Sequence, residues 1–145
     1  MAVGQPTTTL LLRHGETALS GARRFAGRGD IPLTVTGLRQ ADAAAARLAA
    51  RGGLDLIITS PLARARRTAA AVAAATGAPL VADEGWAETD FGEWEGLTHA
   101  EAARRWPGAV DAWLADTGVA PPGGESFAAT SVRVNDTGHL AGAAR

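Results

Sequence analysis

A histidine next to an arginine is the part of this sequence best suited to chemistry. Arg13-His14-Gly15 follows a short apolar run at residues 7–12 (TTTLLL), which is typical of a buried parallel strand. A neutral imidazole can accept a phosphoryl group when a hydrogen bond holds its other nitrogen. An arginine can bind phosphoryl oxygens through two N–H groups at once. His14 is therefore a candidate nucleophile, and Arg13 is a candidate phosphate ligand.

Two further residues could complete such a site. Arg64 lies in the first turn of a helix predicted to begin at Ser60-Pro61, where the helix N-terminus also attracts an anion. Glu88 is a candidate donor of the proton that a leaving alkoxide needs. We expect the aromatic residues in its loop to raise the pKa of the Glu88 carboxyl group; these are Trp86, Phe91 and Trp94. By residue type alone, an arginine-rich cleft with a glutamate could equally be a passive anion site.

The elements that must position these residues alternate between strands and helices. We predict strands at residues 7–12, 54–59 and 79–82. Helices are predicted over residues 38–51, from Pro61 to residue 76 before Gly77, from Thr98 to near Pro107, and over 110–114, with a turn at 121–124. This order is typical of an α/β fold with a parallel sheet, in which ligands bind beyond the carboxyl ends of the strands. The candidate residues follow those strand ends.

The composition limits the class of protein. A chain of 145 residues that is 46% hydrophobic and 20% charged is sufficient for one folded domain. A net charge of −1 gives no electrostatic reason to expect a nucleic acid or an anionic membrane as partner. The absence of cysteine excludes disulfides and thiolate catalysis, and no His, Asp or Glu spacing fits a metal site. Without a signal-like or membrane-spanning apolar run, we expect a cytoplasmic protein.

Five motifs then occur in the order that histidine phosphatases have. They are RHGET at 13–17, LTxxGxxQA at 33–41, SPLxRAxxTA at 60–69, ExxFGxWEG at 88–96 and PGGES at 122–126. The chain resembles the phosphoglycerate mutase-like histidine phosphatase superfamily, and most of all the acid phosphatase domain of actinobacterial bifunctional ribonuclease HI/acid phosphatase proteins. The resemblance implies a three-layer α/β sandwich, with a mostly parallel sheet flanked by helices, over residues 7–145. Residues 1–6 would be a flexible lead.

The resemblance also implies a phosphomonoester hydrolase that forms a phosphohistidine and needs no cofactor. His14 would be the nucleophile, Arg13 and Arg64 would bind the phosphate, and Glu88 would donate the proton. The spacing to the Phe-Gly pair at 91–92 selects Glu88 over the glutamates at positions 84, 93 and 95. The substrate would be a small phosphorylated metabolite.

Ser20 and Gly27 occupy positions that line the substrate mouth in this family. Mutases of the family tend to have Trp-Asn shortly after the RHGE motif, together with longer lid insertions. This chain has Ala18-Leu19-Ser20 there and no such insertion. The resemblance therefore favours a hydrolase, with a phosphoglycerate mutase as the less favoured alternative.

The family's second phosphate-binding histidine has no evident counterpart after Phe127. No apolar strand leads into His139, and residues 131–140 (SVRVNDTGHL) resemble the family's last strand and tail. We therefore predict an internal deletion near residue 130, a tail over 130–145, a fold incomplete on its C-terminal side and weakened turnover. The alternative from another class is a non-catalytic phosphate-binding or interaction remnant that retains Arg13 and Arg64. A substitution of His139 for the absent histidine is a further alternative.

Overall fold

Helices and two short strands alternate along the part of the chain that the computed structural model describes, residues 7–135. The strands β1 (Ile57–Thr59) and β2 (Leu80–Ala82) pair in parallel, with Ile57 opposite Leu80 and Thr59 opposite Ala82. The helices are α1 (Ala18–Gly21), α2 (Val35–Arg51), α3 (Ala63–Thr76), α4 (His99–Arg105), α5 (Ala109–Ala115) and α6 (Phe127–Asn135). Single 3₁₀ turns occupy Glu84–Trp86 and Gly92–Trp94. The predicted α/β class is confirmed.

Local signals in the sequence determine where most of these helices begin and end. Helix α2 begins after Thr34, whose hydroxyl accepts a hydrogen bond from the Gly37 N–H at 3.0 Å. Helix α3 ends at Gly77, which adopts the left-handed conformation with φ of 73°. Thr98 and Glu101 form the predicted capping box of α4, with bonds of 3.2 and 2.8 Å. These boundaries lie within a few residues of the predicted ones.

The α/β unit packs through small side chains. Helix α3 connects β1 to β2 and packs against α2. The buried residues of these two helices include Ala41 and Ala45 on α2, and Ala69 and Val72 on α3. Small residues allow the two helices to approach closely, so α3 and its arginine are held firmly beside α2.

A second core of aromatic residues holds the loops that follow the sheet. Its buried members are Phe25, Phe91, Trp94, Val110, Trp113 and Ala102. The rings of Phe25 and Phe91 are 5.0 Å apart, and Trp94 meets Trp113 edge to face at 5.7 Å. This cluster ties the 3₁₀ turn at Gly92–Trp94 to α4 and α5, and it therefore fixes the loops on either side of that turn.

Residues 7–12 do not form the predicted strand. They belong to no ladder and are exposed, with Leu11 at 85% and Leu12 at 50% of full exposure. An apolar run forms a parallel strand only where a neighbouring strand supplies hydrogen-bond partners. Within the described residues β1 pairs with β2 and neither reaches this segment, so the apolar side chains stay at the surface.

Residues 131–135, which belong to the segment that resembles the family's last strand, form a helix and not a strand. The backbone is helical in α6 (Phe127–Asn135). In the first turn of this helix the Ser126 hydroxyl accepts from the Ala129 N–H at 3.2 Å, and the Thr130 N–H donates to the Ser126 carbonyl at 3.1 Å. The predicted lead at 1–6, the rest of the tail and His139 lie outside the described residues. Between residues 7 and 135, no helix is long and apolar enough to cross a bilayer.

Candidate active site

The histidine of the RHGET motif is half-buried and held by its own turn. Its Nδ1 lies 2.7 Å from the Gly15 carbonyl oxygen, which is hydrogen-bond distance. Because a carbonyl can only accept, Nδ1 carries the proton in this bond, and a neutral ring then keeps its lone pair on Nε2. His14 is therefore arranged as a nucleophile that attacks through Nε2.

The surroundings of His14 favour that neutral form. Burial lowers the pKa of the imidazole below its ordinary value of 6.5, and the positive charges of Arg64 and Arg13 lower it further. The hydrogen bond to Gly15 and the negative charge of Glu88 oppose the shift. Arg13, Arg64 and Glu88 therefore all lie within the range at which their charges act on the His14 imidazole.

Helices α2 and α3 fix the turn that carries His14. The Gly15 N–H donates to the Thr68 hydroxyl at 3.1 Å, and the Glu16 N–H donates to Gln40 Oε1 at 2.8 Å. The backbone of Gly37 also abuts that of Glu16 so closely that a Cβ on Gly37 would overlap the Glu16 carbonyl. Thr68 and Gln40 belong to the motifs quoted above, but residue type alone gave them no role.

In the described part of the chain, two open hollows flank His14. The larger, about 320 Å³, is lined by Arg13, His14, Glu16, Ser20, Gly21 and Gln40. The smaller, about 210 Å³, shares Arg13, His14 and Gln40 and reaches Leu12 and Ala41. Polar groups with a basic residue and a candidate nucleophile make the larger hollow the better site for a phosphate group.

Ser20 lines the larger hollow while also closing the first turn of α1. Its hydroxyl accepts from the Thr17 N–H at 2.9 Å and donates to the Thr17 carbonyl at 3.2 Å. The Thr17 hydroxyl in turn accepts from the Ser20 N–H at 3.1 Å, which completes a capping box. The sequence pattern Thr-x-x-Ser signals this short helix, which is not among the helices predicted above.

Arg64 is almost fully buried, at 2% exposure, and is turned toward the loop at residues 26–29. Its Nη1 donates to the Gly29 carbonyl at 3.0 Å, and Nη2 donates to the carbonyls of Ala26 at 3.2 Å and Gly27 at 2.7 Å. Burial lowers the pKa of the Arg64 guanidinium, and nearby carboxylates, Glu88 first among them, oppose that shift. Arg64 thus holds a loop and lies near His14 at the same time.

Gly27 is buried in that loop and takes part through its backbone. Its N–H donates to Glu95 Oε2 at 2.7 Å, and its carbonyl accepts from Arg64. A Cβ at this position would lie 2.6 Å from the Thr89 carbonyl oxygen, so only glycine fits. Sequence reasoning considered Glu95 only as a rival of Glu88, and the structure makes it the support of the Gly27 loop.

Glu88 lies at the surface rather than in an apolar pocket. Its Oε1 accepts from the Thr89 N–H at 2.9 Å, and its side chain is exposed. Phe91 and Trp94 are buried in the aromatic core, and Trp86 is 40% exposed, so these rings do not enclose the carboxyl group as expected. Its charge nevertheless influences both His14 and Arg64. In the described part of the chain, no three potential metal ligands lie together.

With this geometry in place, comparison with known proteins identifies the family. Residues 9–141 match the model of the histidine phosphatase superfamily, branch 1. The chain belongs to this family. The RHGET motif, one of the five that carry the resemblance, forms the turn in which His14 bonds the Gly15 carbonyl. The charges of Arg13 and Arg64 act on this histidine.

Individual relatives extend this assignment. The chain is 54% identical over 126 residues to bifunctional protein Rv2228c of Mycobacterium tuberculosis, which covers 87% of this chain and 35% of that protein. It is 44% identical over 117 residues to glucosyl-3-phosphoglycerate phosphatase of Mycolicibacterium vanbaalenii, covering 81% and 52%. A structure of mycobacterial glucosyl-3-phosphoglycerate phosphatase Rv2419c with VO3 matches with a TM-score of 0.80 and 36% identity, covering 91% of this chain and 65% of that one.

These similarities confirm the predicted resemblance to histidine phosphatases and to an actinobacterial bifunctional protein. They also show that this chain spans between about a third and two thirds of the length of these three relatives. The TM-score of 0.80 agrees with the expected phosphoglycerate mutase-like α/β fold.

Proposed function

We propose that this histidine phosphatase chain hydrolyses a phosphomonoester of a small metabolite through a phosphohistidine on His14. The hydrogen bond of 2.7 Å between His14 Nδ1 and the Gly15 carbonyl carries the proposal, because it leaves Nε2 as the nucleophilic atom. The phosphatase names of the relatives support a hydrolase.

The proposed reaction has two steps. In the first, the Nε2 lone pair of His14 attacks phosphorus, a P–N bond forms, and the P–O bond to the alcohol breaks. Glu88 gives its proton to the leaving oxygen. In the second, the Glu88 carboxylate takes a proton from water, the water oxygen attacks phosphorus, and the P–N bond breaks to release phosphate and neutral His14.

The arginines would stabilise the phosphoryl oxygens. Arg13 is exposed and lines both hollows beside His14. Arg64 has five N–H groups, and its bonds to three backbone carbonyls leave two for a phosphoryl oxygen. Its position near His14 and its rigid attachment to the 26–29 loop suit it to a fixed ligand.

We also propose that turnover is weak. Residues 7–12 lead directly into Arg13-His14 and are exposed, so among the described residues no strand pairs with the backbone on that side of the nucleophile. A small misplacement of a reacting group can lower a rate by about 10²-fold. The same observation favours a second candidate, a chain that binds phosphate through Arg13 and Arg64 without turnover.

The cytoplasmic location and the lack of cofactor, nucleic-acid and membrane partners stay predictions.

Hydrolysis of p-nitrophenyl phosphate at mildly acid pH tests the proposal, with His14→Ala as the matched control. We expect slow hydrolysis by the wild-type chain and none above background by the variant. Equal rates for the two proteins would refute catalysis by His14. If vanadate or phosphate raises the Tm while no hydrolysis is seen, the binding-only function is correct, and activity dependent on 2,3-bisphosphoglycerate would instead indicate a mutase.

A further inference from the structure

We propose that Thr68 is a positioning residue that aims the imidazole of His14 and couples it to Arg64. This inference rests on the proposed function, because it assigns Thr68 a part in setting the nucleophile. Thr68 lies in α3, one helical turn after Arg64, and is 4% exposed. Its hydroxyl lies at the contact between that helix and the RHGET turn.

The hydroxyl of Thr68 both accepts and donates a hydrogen bond. Its Oγ1 accepts from the Gly15 N–H at 3.1 Å and donates to the Arg64 carbonyl at 2.8 Å. A hydroxyl has one proton to donate, and here that proton is committed to the helix backbone. The lone pair that faces the turn is therefore presented to Gly15 in a fixed direction.

Gly15 transmits this restraint to the nucleophile. The N–H of Gly15 is held by Thr68, and the carbonyl of the same residue holds Nδ1 of His14. Glycine has no side chain to restrict its own backbone, so external hydrogen bonds decide where its carbonyl points. The Gly15 N–H belongs to the peptide plane between His14 and Gly15, whereas the Gly15 carbonyl lies in the next plane, whose Glu16 N–H is held by Gln40. Removal of the Thr68 hydroxyl would therefore leave a buried N–H without its partner and free the backbone of His14 to turn relative to the carbonyl that its imidazole bonds.

The bond to the Arg64 carbonyl gives the same hydroxyl a second effect. Arg64 and Thr68 share one turn of α3, so the bond from Gly15 to Thr68 also fixes the backbone that carries Arg64 relative to the RHGET turn, while the 26–29 loop holds the guanidinium. His14 and Arg64 lie close enough for the arginine charge to act on the imidazole. A single side chain thus joins the proposed nucleophile to the proposed phosphate ligand.

Four variants test the proposal with p-nitrophenyl phosphate. Thr68→Val keeps the side-chain shape and loses the hydroxyl, and we expect kcat to fall by about 10²-fold with little change in KM. Thr68→Ser and Thr68→Ala differ by one hydroxyl, so serine should retain most of kcat and alanine should resemble valine. Thr76→Val is the matched control, since Thr76 donates to the Val72 carbonyl at 2.8 Å in the same helix. It should leave kcat unchanged.

Nitrogen-15 NMR of the imidazole supplies a readout that does not need turnover. In the wild-type chain, His14 should show a protonated Nδ1 and an unprotonated Nε2. In Thr68→Val and Thr68→Ala, the signals should move toward a mixture of the two tautomers, while Thr68→Ser and Thr76→Val keep the wild-type pattern. If the valine variant does not fold, the comparison of Thr68→Ala with Thr68→Ser shows whether the hydroxyl positions His14.

Three results would overturn the positioning role. They are unchanged kcat and imidazole signals in Thr68→Val or Thr68→Ala, a serine variant as impaired as alanine, or an equal loss of kcat in Thr76→Val. Should the wild-type chain show no hydrolysis, the proposed function fails by itself. The NMR comparison then still supports the Thr68 contact if the signals move and refutes it if they do not.

Discussion

The close contact between Gly37 and Glu16 gives the sharpest test of how the nucleophile's turn is held. Gly37 lies in the first turns of α2, and a Cβ there would overlap the Glu16 carbonyl and lie 2.8 Å from the Glu16 nitrogen. Both atoms belong to the backbone, so they cannot move aside as a flexible side chain would. The substitution Gly37→Ala must therefore push α2 away from the RHGET turn.

The expected effect on stability follows from two opposing terms. Alanine is favoured over glycine in a helix by about 1 kcal/mol. Forcing a methyl group into a packed contact costs about 1–3 kcal/mol, and contact with rigid backbone places this site at the upper end. The net loss of unfolding free energy is then about 2 kcal/mol, which corresponds to a Tm lower by about 4–8 °C.

Thermal and urea unfolding measure this effect directly. Gly21→Ala is the matched control, because a Cβ on Gly21 would meet the Glu16 side chain at an ordinary 3.4 Å. The control should not lower the free energy of unfolding, because the preference of alanine for a helix meets no close backbone contact there. If Gly37→Ala is as stable as the wild-type chain, or more stable, then the backbone of α2 does not lie against the Glu16 backbone at these distances.

Two further predictions concern His14 and Arg64. Because burial lowers the pKa of His14, kcat/KM should decrease on the acid side of its pH profile only below pH 6.5. Between the lowered pKa of folded His14 and pH 6.5, the unfolded chain binds more protons than the folded chain, so the free energy of unfolding should decrease as the pH falls through that window. In urea titrations, His14→Gln should remove this dependence on pH. A loss of kcat/KM that already begins above pH 6.5 would contradict the lowered pKa. Arg64→Lys keeps the charge but cannot bridge the carbonyls of Gly27 and Gly29, so kcat/KM should fall by about 10²–10³-fold. The exposed Arg67→Lys should leave kcat/KM unchanged, and equal values for the two variants would refute a specific role of Arg64.

The sequence predicts the helices of this fold well because their signals are local. Gly77 and the Thr98 capping box act within one turn of the helix that they end or start. Helix α2 begins at Val35, three residues before its predicted start at residue 38, because Thr34 caps it. The strand predicted at 7–12 fails for the opposite reason, since a strand depends on a neighbour distant in sequence. The same apolar residues that indicate a buried strand are exposed here, and Leu11 shows this most clearly.

The candidate site, like the fold, could be predicted from the sequence only in part. Motif spacing selects His14, Arg13, Arg64 and Glu88, and the structure brings them near one another. Sequence reasoning cannot tell that Arg64 is turned toward three backbone carbonyls, because this depends on how the 26–29 loop folds back on α3. It also places Glu88 in an apolar environment, whereas the neighbouring aromatic rings turn into their own core and leave the carboxyl group exposed.

Detection of a phosphoryl group on His14 would demonstrate covalent catalysis by this residue. The full chain is mixed with p-nitrophenyl phosphate, quenched at alkaline pH, where phosphohistidine is preserved, and examined by peptide mass spectrometry. We predict one phosphoryl group on His14 that appears with the release of p-nitrophenol, decays after the substrate is consumed, and is absent in His14→Asn. Release of p-nitrophenol by the wild-type chain with no phosphoryl group on His14, or equal release by His14→Asn, would contradict the account.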